Sequence, residues 1–134
     1  MSGHPLTQAL LVAGGGALGA LCRWGVTLLL RPLHTFPWAT LLVNALGCLI
    51  AGVLVGGFGL DRERFSDEAR LALMVGFLGA LTTFSTFSTD TLVMFRRGGA
   101  AGPALLNVTL NVVLSLGAVF LGAHLGARWL GRAG

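Results

Sequence analysis

The chain has 134 residues, of which 54% are hydrophobic and 10% are charged, and its formal net charge is +4. Soluble domains contain about 25% charged residues, so this composition excludes an ordinary soluble protein and indicates a membrane protein. The basic residues are all arginines and are scattered along the chain. Because they form no basic helix face, nucleic acid is not expected as a partner.

Four apolar segments are long enough to cross the hydrocarbon layer of a membrane, which takes about 20 residues. Prolines, glycines and charged residues occupy the connections between them, as expected of loops. The sequence therefore predicts an all-α membrane protein, with one transmembrane domain over residues 1–134. The predicted helices lie at about residues 6–30, 38–60, 69–95 and 104–130.

Glycines recur four residues apart in three of the predicted helices. Small residues at this spacing let the backbones of two membrane helices approach closely, so we expect tight packing at each pair. The first pair also belongs to a G-x-G-x-x-G pattern. A dinucleotide site is rejected there, because no strand precedes the pattern and its surroundings are lipid-like. The pairs are Gly15 and Gly19, Gly52 and Gly56, and Gly122 and Gly126.

The run of residues 76–88, inside the third segment, has a composition that an uninterrupted membrane helix does not need. Its threonine and serine hydroxyls compete with the helical backbone hydrogen bonds, and its two glycines lower the helix propensity. At membrane depth, non-helical backbone is tolerated only where it is buried in protein or lines a wet cavity. The sequence therefore predicts a functional break near residues 79–83. The alternative is an ordinary helix whose hydroxyls bond back to the preceding turn.

Polar side chains inside the predicted helices are few. Each is costly in lipid unless it has a partner or touches water, which makes it a candidate functional residue. Three of them, Asn107, Asn111 and Ser115, are spaced four residues apart, so they form a stripe along one helix face. Alternatively, the uncharged ones only join helices by hydrogen bonds, and the charged ones reach the membrane edge or pair with a loop charge. These residues are Arg23, Asn44, Asp90, Asn107, Asn111 and Ser115.

The arginines give almost no preference for one orientation in the membrane. Four spans place five arginines on one side and, counting Arg23, four on the other, whereas cytoplasmic loops normally carry a clear excess of basic residues. We therefore hypothesise that the chain inserts in both orientations and pairs antiparallel with a second copy. Four helices are also too few to enclose a pore with polar walls on several sides, and a two-fold dimer supplies twice as many.

Three motifs in the sequence are similar to the signatures of one membrane-protein family. The last and longest follows the family pattern G-F-x-G-x-x-T-T-F-S-T-F and is the most specific. On these motifs the chain resembles the CrcB/Fluc fluoride channels over essentially all of its 134 residues. The three stretches are residues 15–23 (GGALGALCR), residues 43–47 (VNALG) and residues 76–87 (GFLGALTTFSTF).

The resemblance implies an assembly and a function. It implies an antiparallel, dual-topology homodimer in the cell membrane, with two fluoride pores and a central structural sodium ion. Fluoride would leave the cytoplasm passively, which relieves its toxicity. A sodium ion suits a broken helix, because backbone carbonyls released from the helical ladder make a cage for a hard cation.

The resemblance also implies roles for the residues that match the family motifs. Arg23 would lie at a vestibule, and the carbonyls of Gly79 and Thr82, from both subunits, would bind the sodium ion. Asp90 stands where the family commonly has glutamate. At the first two positions of the fourth-helix polar track the family more often has aromatic or hydroxyl residues. The residues placed along the fluoride pore are Phe84 and Phe87 as phenyl rings, Asn44 as the amide, and Asn107, Asn111 and Ser115 as the polar track.

Neutral side chains suit an anion pathway on physical grounds alone. A phenyl ring has a positive edge, so an edge-on pair of rings faces an anion without a fixed cation that would trap it. Amide and hydroxyl donors replace the water around an ion one at a time, and conduction requires sites that an ion both enters and leaves. The alternative for the phenylalanines is plain packing against lipid or core. The donors in question are Asn44, Ser85, Thr86 and Ser115.

Two other functions are weighed against a channel. A small proton-coupled exporter needs an acidic residue in the middle of its first helix, and no Asp or Glu precedes Asp61. A membrane subunit without transport activity would use its polar residues only to hold helices together. An enzyme is not expected, because His4, His34 and His124 are dispersed, without partners at a spacing that suggests catalysis.

Overall fold

The structure, a computed structural model, describes residues 4–33, 35–59, 65–98 and 101–130. The regular elements within these ranges are all helical. The predictions that involve His34, Arg62, Arg64 and Arg132 lie outside the described residues.

Among the described residues, four segments are long and apolar enough to cross a membrane, which confirms the prediction of an all-α membrane protein with four spans. Their ends differ from the predicted ones by a few residues, as helix ends commonly do. The spans are α1 (Pro5–Leu29), α2 (Trp38–Phe58), a third span (Asp67–Arg97) made of two helices described below, and α5 (Gly102–Trp129).

Polar side chains fix where two of the spans begin. The Leu6 N–H donates to His4 Nδ1 at 3.3 Å, and a proline occupies the first position of α1. At the start of the third span the Ala69 N–H donates to Ser66 Oγ at 3.2 Å, and two acidic residues follow Ser66. Such acceptors satisfy backbone N–H groups that have no partner inside the helix, and acidic residues interact favourably with the positive N-terminal end.

The first part of the third span is the helix α3 (residues 67–81). It is α-helical over Asp67–Arg70, π-helical over Leu71–Leu78, and ends with the turn Gly79–Leu81. A π-helical stretch widens the backbone spiral, and such stretches are frequent at functional sites.

The second part of the third span is the helix α4 (Phe84–Gly98). Between the two helices, Thr82 has an extended backbone with φ −80° and ψ 154°, and Thr83 is not helical. We call Thr82 and Thr83 the break.

Two of the predicted glycine pairs hold α2 against α5. A Cβ atom added at Gly52 or Gly56 would run into a backbone carbonyl oxygen of α5, and one added at Gly122 or Gly126 would run into one of α2. We call these four residues the glycine seam. The two backbones are in direct contact along it, which confirms the prediction of tight packing.

The remaining predicted pair, Gly15 and Gly19, holds α1 against the π-helical part of α3. Added Cβ atoms at Gly15 and Gly19 would run into the carbonyl oxygens of Ala72 and Phe77. On α3, an added Cβ at Gly76 would lie 2.7 Å from a backbone oxygen of α1. Gly15 and Gly19 of this glycine-rich run therefore serve helix packing.

The interior of the protomer is small. Val43, Leu78 and Leu81 form a buried cluster, while large apolar side chains on all four spans are exposed. None of the side chains described on α4 is buried. An apolar surface of this extent is covered by lipid or by another protein chain.

Candidate ion pathway

The break is held by the side chain of Asn44, which reaches it from the middle of α2. The Thr83 N–H donates to Asn44 Oδ1 at 2.8 Å, and Asn44 Nδ2 donates to the Thr83 carbonyl at 3.3 Å. The side-chain amide of Asn44 thus pairs with both the N–H and the carbonyl of Thr83. Non-helical backbone leaves such groups without helical partners, and at membrane depth each would be costly if unpaired.

Thr83 also begins α4 as its N-cap. Its Oγ1 accepts a hydrogen bond from the Thr86 N–H at 3.2 Å and donates to Thr86 Oγ1 at 3.1 Å. The Ser85 hydroxyl lies 3.3 Å from the same oxygen. Three hydroxyls therefore gather at the N-terminus of a helix, where the helix dipole favours negative charge.

The break diverts two backbone N–H donors from the helical ladder to side chains. In a continuous helix each carbonyl accepts from the N–H four residues later. In such a helix the Thr83 N–H would donate to the Gly79 carbonyl, but here it donates to Asn44 Oδ1. The Thr86 N–H would donate to the Thr82 carbonyl, but here it donates to Thr83 Oγ1. The Gly79 and Thr82 carbonyls, which the resemblance assigns to a sodium ion, are thus the ones whose helical donors are diverted. Carbonyl oxygens are suitable ligands for a hard cation.

Several hydroxyls of the run also bond back to the preceding turn, which was the alternative interpretation. Thr82 Oγ1 donates to the Leu78 carbonyl at 2.9 Å, and Ser88 Oγ to the Phe84 carbonyl at 2.9 Å. Back-bonding of this kind occurs on both sides of the break, and such bonds commonly bend helices. The two interpretations therefore describe different residues of the same run.

A chain of hydrogen bonds runs from Asn44 through α5 to α4. Asn44 Nδ2 donates to Asn111 Oδ1 at 3.1 Å, and Asn111 Nδ2 donates to Asn107 Oδ1 at 2.9 Å. Asn107 Nδ2 donates to Thr91 Oγ1 at 2.8 Å, and Thr91 Oγ1 donates to the Phe87 carbonyl at 2.8 Å. We call Asn44, Asn111, Asn107 and Thr91 the amide relay.

The structure brings two of the three predicted fourth-helix positions into this relay. Asn107 and Asn111 are buried, whereas Ser115 is half-buried and makes no side-chain hydrogen bond to the described residues. Thr91 was not among the residues predicted from the sequence. Its spacing could have indicated it, because Thr83, Phe87 and Thr91 are four residues apart and share one face of α4.

The two phenylalanines lie together at the start of α4. Their ring centroids are 5.5 Å apart, with an angle of 56° between the ring planes. Phe84 is 79% exposed and Phe87 is half-buried, while Ser85 and Thr86 are exposed. This part of α4 therefore faces outward from the chain.

Two adjoining clefts lie beside the start of α4, and the first of them reaches the break. One, of about 280 Å³, is lined by Arg23, Thr40, Thr83 and Thr86 among others. The second, of about 650 Å³, shares Thr40 and Thr86 with the first and contains Asp90. The predicted vestibule residue and the break therefore border the same cleft.

Asp90 is held by Thr40, which was not among the residues predicted from the sequence. Thr40 Oγ1 donates to Asp90 Oδ2 at 2.9 Å, which links α2 to α4. Arg31 and Arg97 line the same cleft as Asp90. Neither Arg23 nor Asp90 forms an ion pair with another described residue, so pairing with a described loop charge is not observed.

Comparison with known proteins identifies the family. Residues 10–123 match the family described as CrcB-like protein, Camphor Resistance (CrcB). The chain belongs to the CrcB family. It is 44% identical over 122 residues to a protein of Dehalococcoides mccartyi, covering 90% of this chain and 92% of that protein. It is 46% identical over 129 residues to a protein of Thermus thermophilus, covering 94% of this chain and all of that protein.

A third relative, from Symbiobacterium thermophilum, is 45% identical over 120 residues, which are 88% of this chain and 96% of the relative. The first two relatives are named Fluoride-specific ion channel FluC, and the third Fluoride-specific ion channel FluC 2. These are names of channels, so the expectation that this CrcB protein is not an enzyme is confirmed.

Proposed function

We propose that this CrcB protein is a passive fluoride channel. The observation that carries the proposal is the break, where neutral donors gather beside two phenyl rings and one amide satisfies the interrupted backbone. Supporting it, relatives that align with most of the chain are named fluoride-specific ion channels.

Fluoride is attracted to the break by dipoles rather than by a fixed charge. The N-terminus of α4 and its hydroxyls favour an anion, and the positive edges of Phe84 and Phe87 add to this attraction. A buried cation in the same place would bind fluoride tightly and slow its release. Neutral groups allow the ion to enter and to leave, as conduction requires.

Asn44 contacts fluoride through the weaker of the two hydrogen bonds that its Nδ2 donates. Its bond to the Thr83 carbonyl is 3.3 Å long, while its bond to Asn111 is 3.1 Å. Hydrogen bonds weaken beyond their usual length of about 2.9–3.0 Å. An arriving anion therefore replaces the Thr83 carbonyl as the acceptor at little cost, and the carbonyl takes the N–H back when the ion leaves.

Arg23 acts at the mouth of the pathway. It lines the cleft that reaches Thr83 and Thr86, and it is half-buried. A positive charge at the rim raises the local concentration of anions without binding them in the narrow part. Ser85, Thr86 and Ser115 supply the further hydroxyls along the way.

The working unit is an antiparallel homodimer in the cell membrane. Phe84 is 79% exposed in the protomer, and α4 has no buried side chain among those described. A second copy that covers this face would enclose the pathway on its open side. The near-equal distribution of arginines between the two sides favours the antiparallel arrangement.

A sodium ion at the centre of this dimer would be held by the carbonyls of Gly79 and Thr82 from both subunits. When bound, it supplies positive charge that neutralises the carbonyl ends meeting at the dimer axis. The protein's part is to leave these carbonyls without their helical N–H donors, because Asn44 and the Thr83 hydroxyl accept from those donors instead.

Fluoride efflux from liposomes tests the proposed function. Purified protein is reconstituted into liposomes loaded with potassium fluoride, and a fluoride electrode follows release after valinomycin is added. We expect fast release of fluoride without a proton gradient and no comparable release of chloride. No efflux from correctly folded protein would support a subunit without transport activity, and efflux that needs a proton gradient would support a coupled exporter.

Two further measurements test the assembly. Cysteine labelling at the two termini in intact cells is expected to find both orientations, and a single orientation would contradict the antiparallel dimer. The melting temperature of the purified protein is expected to be higher in sodium than in a bulky organic cation. Equal melting temperatures would remove the sodium ion from the proposal.

A further inference from the structure

We propose that Asn111, Asn107 and Thr91 are positioning residues, which orient the amide of Asn44 without contacting fluoride themselves. The inference rests on the proposed function, since it concerns how the same pathway is built. It changes the role of Asn107 and Asn111, for which the resemblance implies contact with the ion.

Backbone groups fix the orientation of the relay at its first end. The Thr83 N–H is a donor, so it requires the oxygen of Asn44 to face it. The nitrogen of Asn44 is then left for Asn111. Asn111 Nδ2 also donates to the backbone carbonyl of Asn107 at 3.1 Å, which requires the nitrogen of Asn111 on that side and its oxygen towards Asn44.

A backbone carbonyl also fixes the orientation of the amide relay at its other end, on α4. The Thr91 hydroxyl has one hydrogen, and it donates this hydrogen to the Phe87 carbonyl. The Thr91 oxygen can then only accept, which requires the nitrogen of Asn107 to face it. Every side-chain donor in the relay therefore points from Asn44 towards α4, and reversing any one amide would bring two acceptors or two donors together.

Burial separates the positioning residues from the pathway. Asn107 is 0% exposed and Asn111 is 5% exposed, and Asn111 donates only to Asn107. Asn44 is less buried and lies at the break. Because the relay holds one N–H of Asn44 on Asn111, the other N–H is directed to the break, where it is available to an anion.

The relay also holds the helix that carries the two phenyl rings. Since α4 has no fully buried side chain among those described, polar contacts with the other spans help to fix its position. Besides the contact at Thr83, these are the bond from Asn107 to Thr91 and the bond from Thr40 to Asp90. Thr91 lies one turn after Phe87, so the relay fixes the turn on which Phe87 sits.

Four variants test the inference. Thr91→Val keeps the shape of the side chain and removes the acceptor, whereas Thr91→Ser keeps the acceptor. Asn107→Leu removes the link from Asn111 to Thr91, while the Thr91 hydroxyl stays on Phe87 and Asn111 keeps the Asn107 backbone carbonyl as the acceptor of one of its two N–H groups. Thr109→Val, at an exposed position between Asn107 and Asn111 in sequence, is the matched control.

Fluoride efflux is measured together with the hydrogen exchange of the Asn44 side-chain amide, followed by NMR in nanodiscs. We expect Thr91→Val and Asn107→Leu to lower efflux by about tenfold, the effect of a small misplacement of a functional group. In both, exchange at Asn44 should quicken. Thr91→Ser and Thr109→Val should behave like the parent in both measurements.

The possible outcomes are distinct. Parent-like efflux and slow exchange in folded Asn107→Leu would overturn the inference, and lower efflux with unchanged exchange would show that Asn107 contacts the ion directly. If Thr91→Val fails to fold, Asn107→Leu decides. A parent that passes no fluoride would refute the proposed function, but the exchange rates at Asn44 would still test the relay.

Discussion

The glycine seam and the helix α4 are held in place in opposite ways. Along the seam, α2 and α5 touch through their backbones, and an added Cβ at any of the four glycines would run into a carbonyl oxygen. On α4, no described side chain is buried, and hydrogen bonds from Asn44, Asn107 and Thr40 provide the attachment.

The difference separates the frame of the protomer from its working part. Close-packed backbones have one arrangement and resist displacement. The outer face of α4 is exposed, and it is there that we propose a second copy and an ion. We therefore expect changes in the seam to affect folding, and changes at the break to affect ion passage more than folding.

The largest effect is expected from Gly122→Ala. The added Cβ would meet the Leu49 carbonyl oxygen and would lie 2.9 Å from the Val53 nitrogen, so α2 and α5 must separate. Overpacking of this kind costs about 1–3 kcal/mol or more. Thermal unfolding and size-exclusion chromatography in detergent should show a clear loss of folded protein.

Gly117→Ala is the matched control, because it makes the same substitution on the same helix with no atom within 4 Å of the new Cβ. It should leave stability unchanged or raise it by up to about 1 kcal/mol, since alanine is the better helix former. If the two variants unfolded alike, the seam would not be the frame of the fold.

Asn44→Asp should have the next largest effect, on fluoride passage. A carboxylate accepts the Thr83 N–H as the amide does, but it cannot donate to the Thr83 carbonyl or to Asn111. It also places a negative charge on the path of an anion. We expect efflux to fall by about 100-fold, which corresponds to roughly 2.7 kcal/mol, while the dimer remains intact by chromatography. Unchanged flux would remove Asn44 from the pathway.

Phe84→Ile and Phe87→Ile should lower efflux by about tenfold, or roughly 1.4 kcal/mol. Each variant keeps an apolar side chain of similar size but loses the positive ring edge. Because Phe84 is 79% exposed, its replacement should change the melting temperature little. Phe120→Ile, at a position 73% exposed on α5, is the control and should conduct normally. Normal conduction in both test variants would refute the role of the ring edges.

The spans and their tight contacts could be predicted from the sequence because both depend on local patterns. Twenty apolar residues suffice to indicate a membrane helix, and glycines four residues apart indicate close packing wherever the partner helix lies. The three glycine pairs were correctly predicted on this basis, although their partners could not be named.

The contacts at the break could not be predicted in the same way, because they join residues far apart in the chain. The sequence indicates that Asn44 and Asn111 are polar residues in apolar helices, but not that they bond to each other. Thr91 and Thr40 were missed because a threonine in a helix ordinarily bonds to its own backbone. Only the packing of α2, α4 and α5 gives them partners on other helices.

The smallest effect is expected from Thr83→Val. Loss of the hydroxyl removes the acceptor of the Thr86 N–H at the start of α4, and loss of an N-cap costs about 1 kcal/mol. The Thr83 N–H keeps its bond to Asn44 Oδ1, so the break itself should persist. Thermal unfolding should show the lower stability, and Thr83→Ser, which keeps the oxygen, should restore it. If Thr83→Ser were as unstable as Thr83→Val, the hydroxyl would not be what begins α4, and Asn44 would define the break without it.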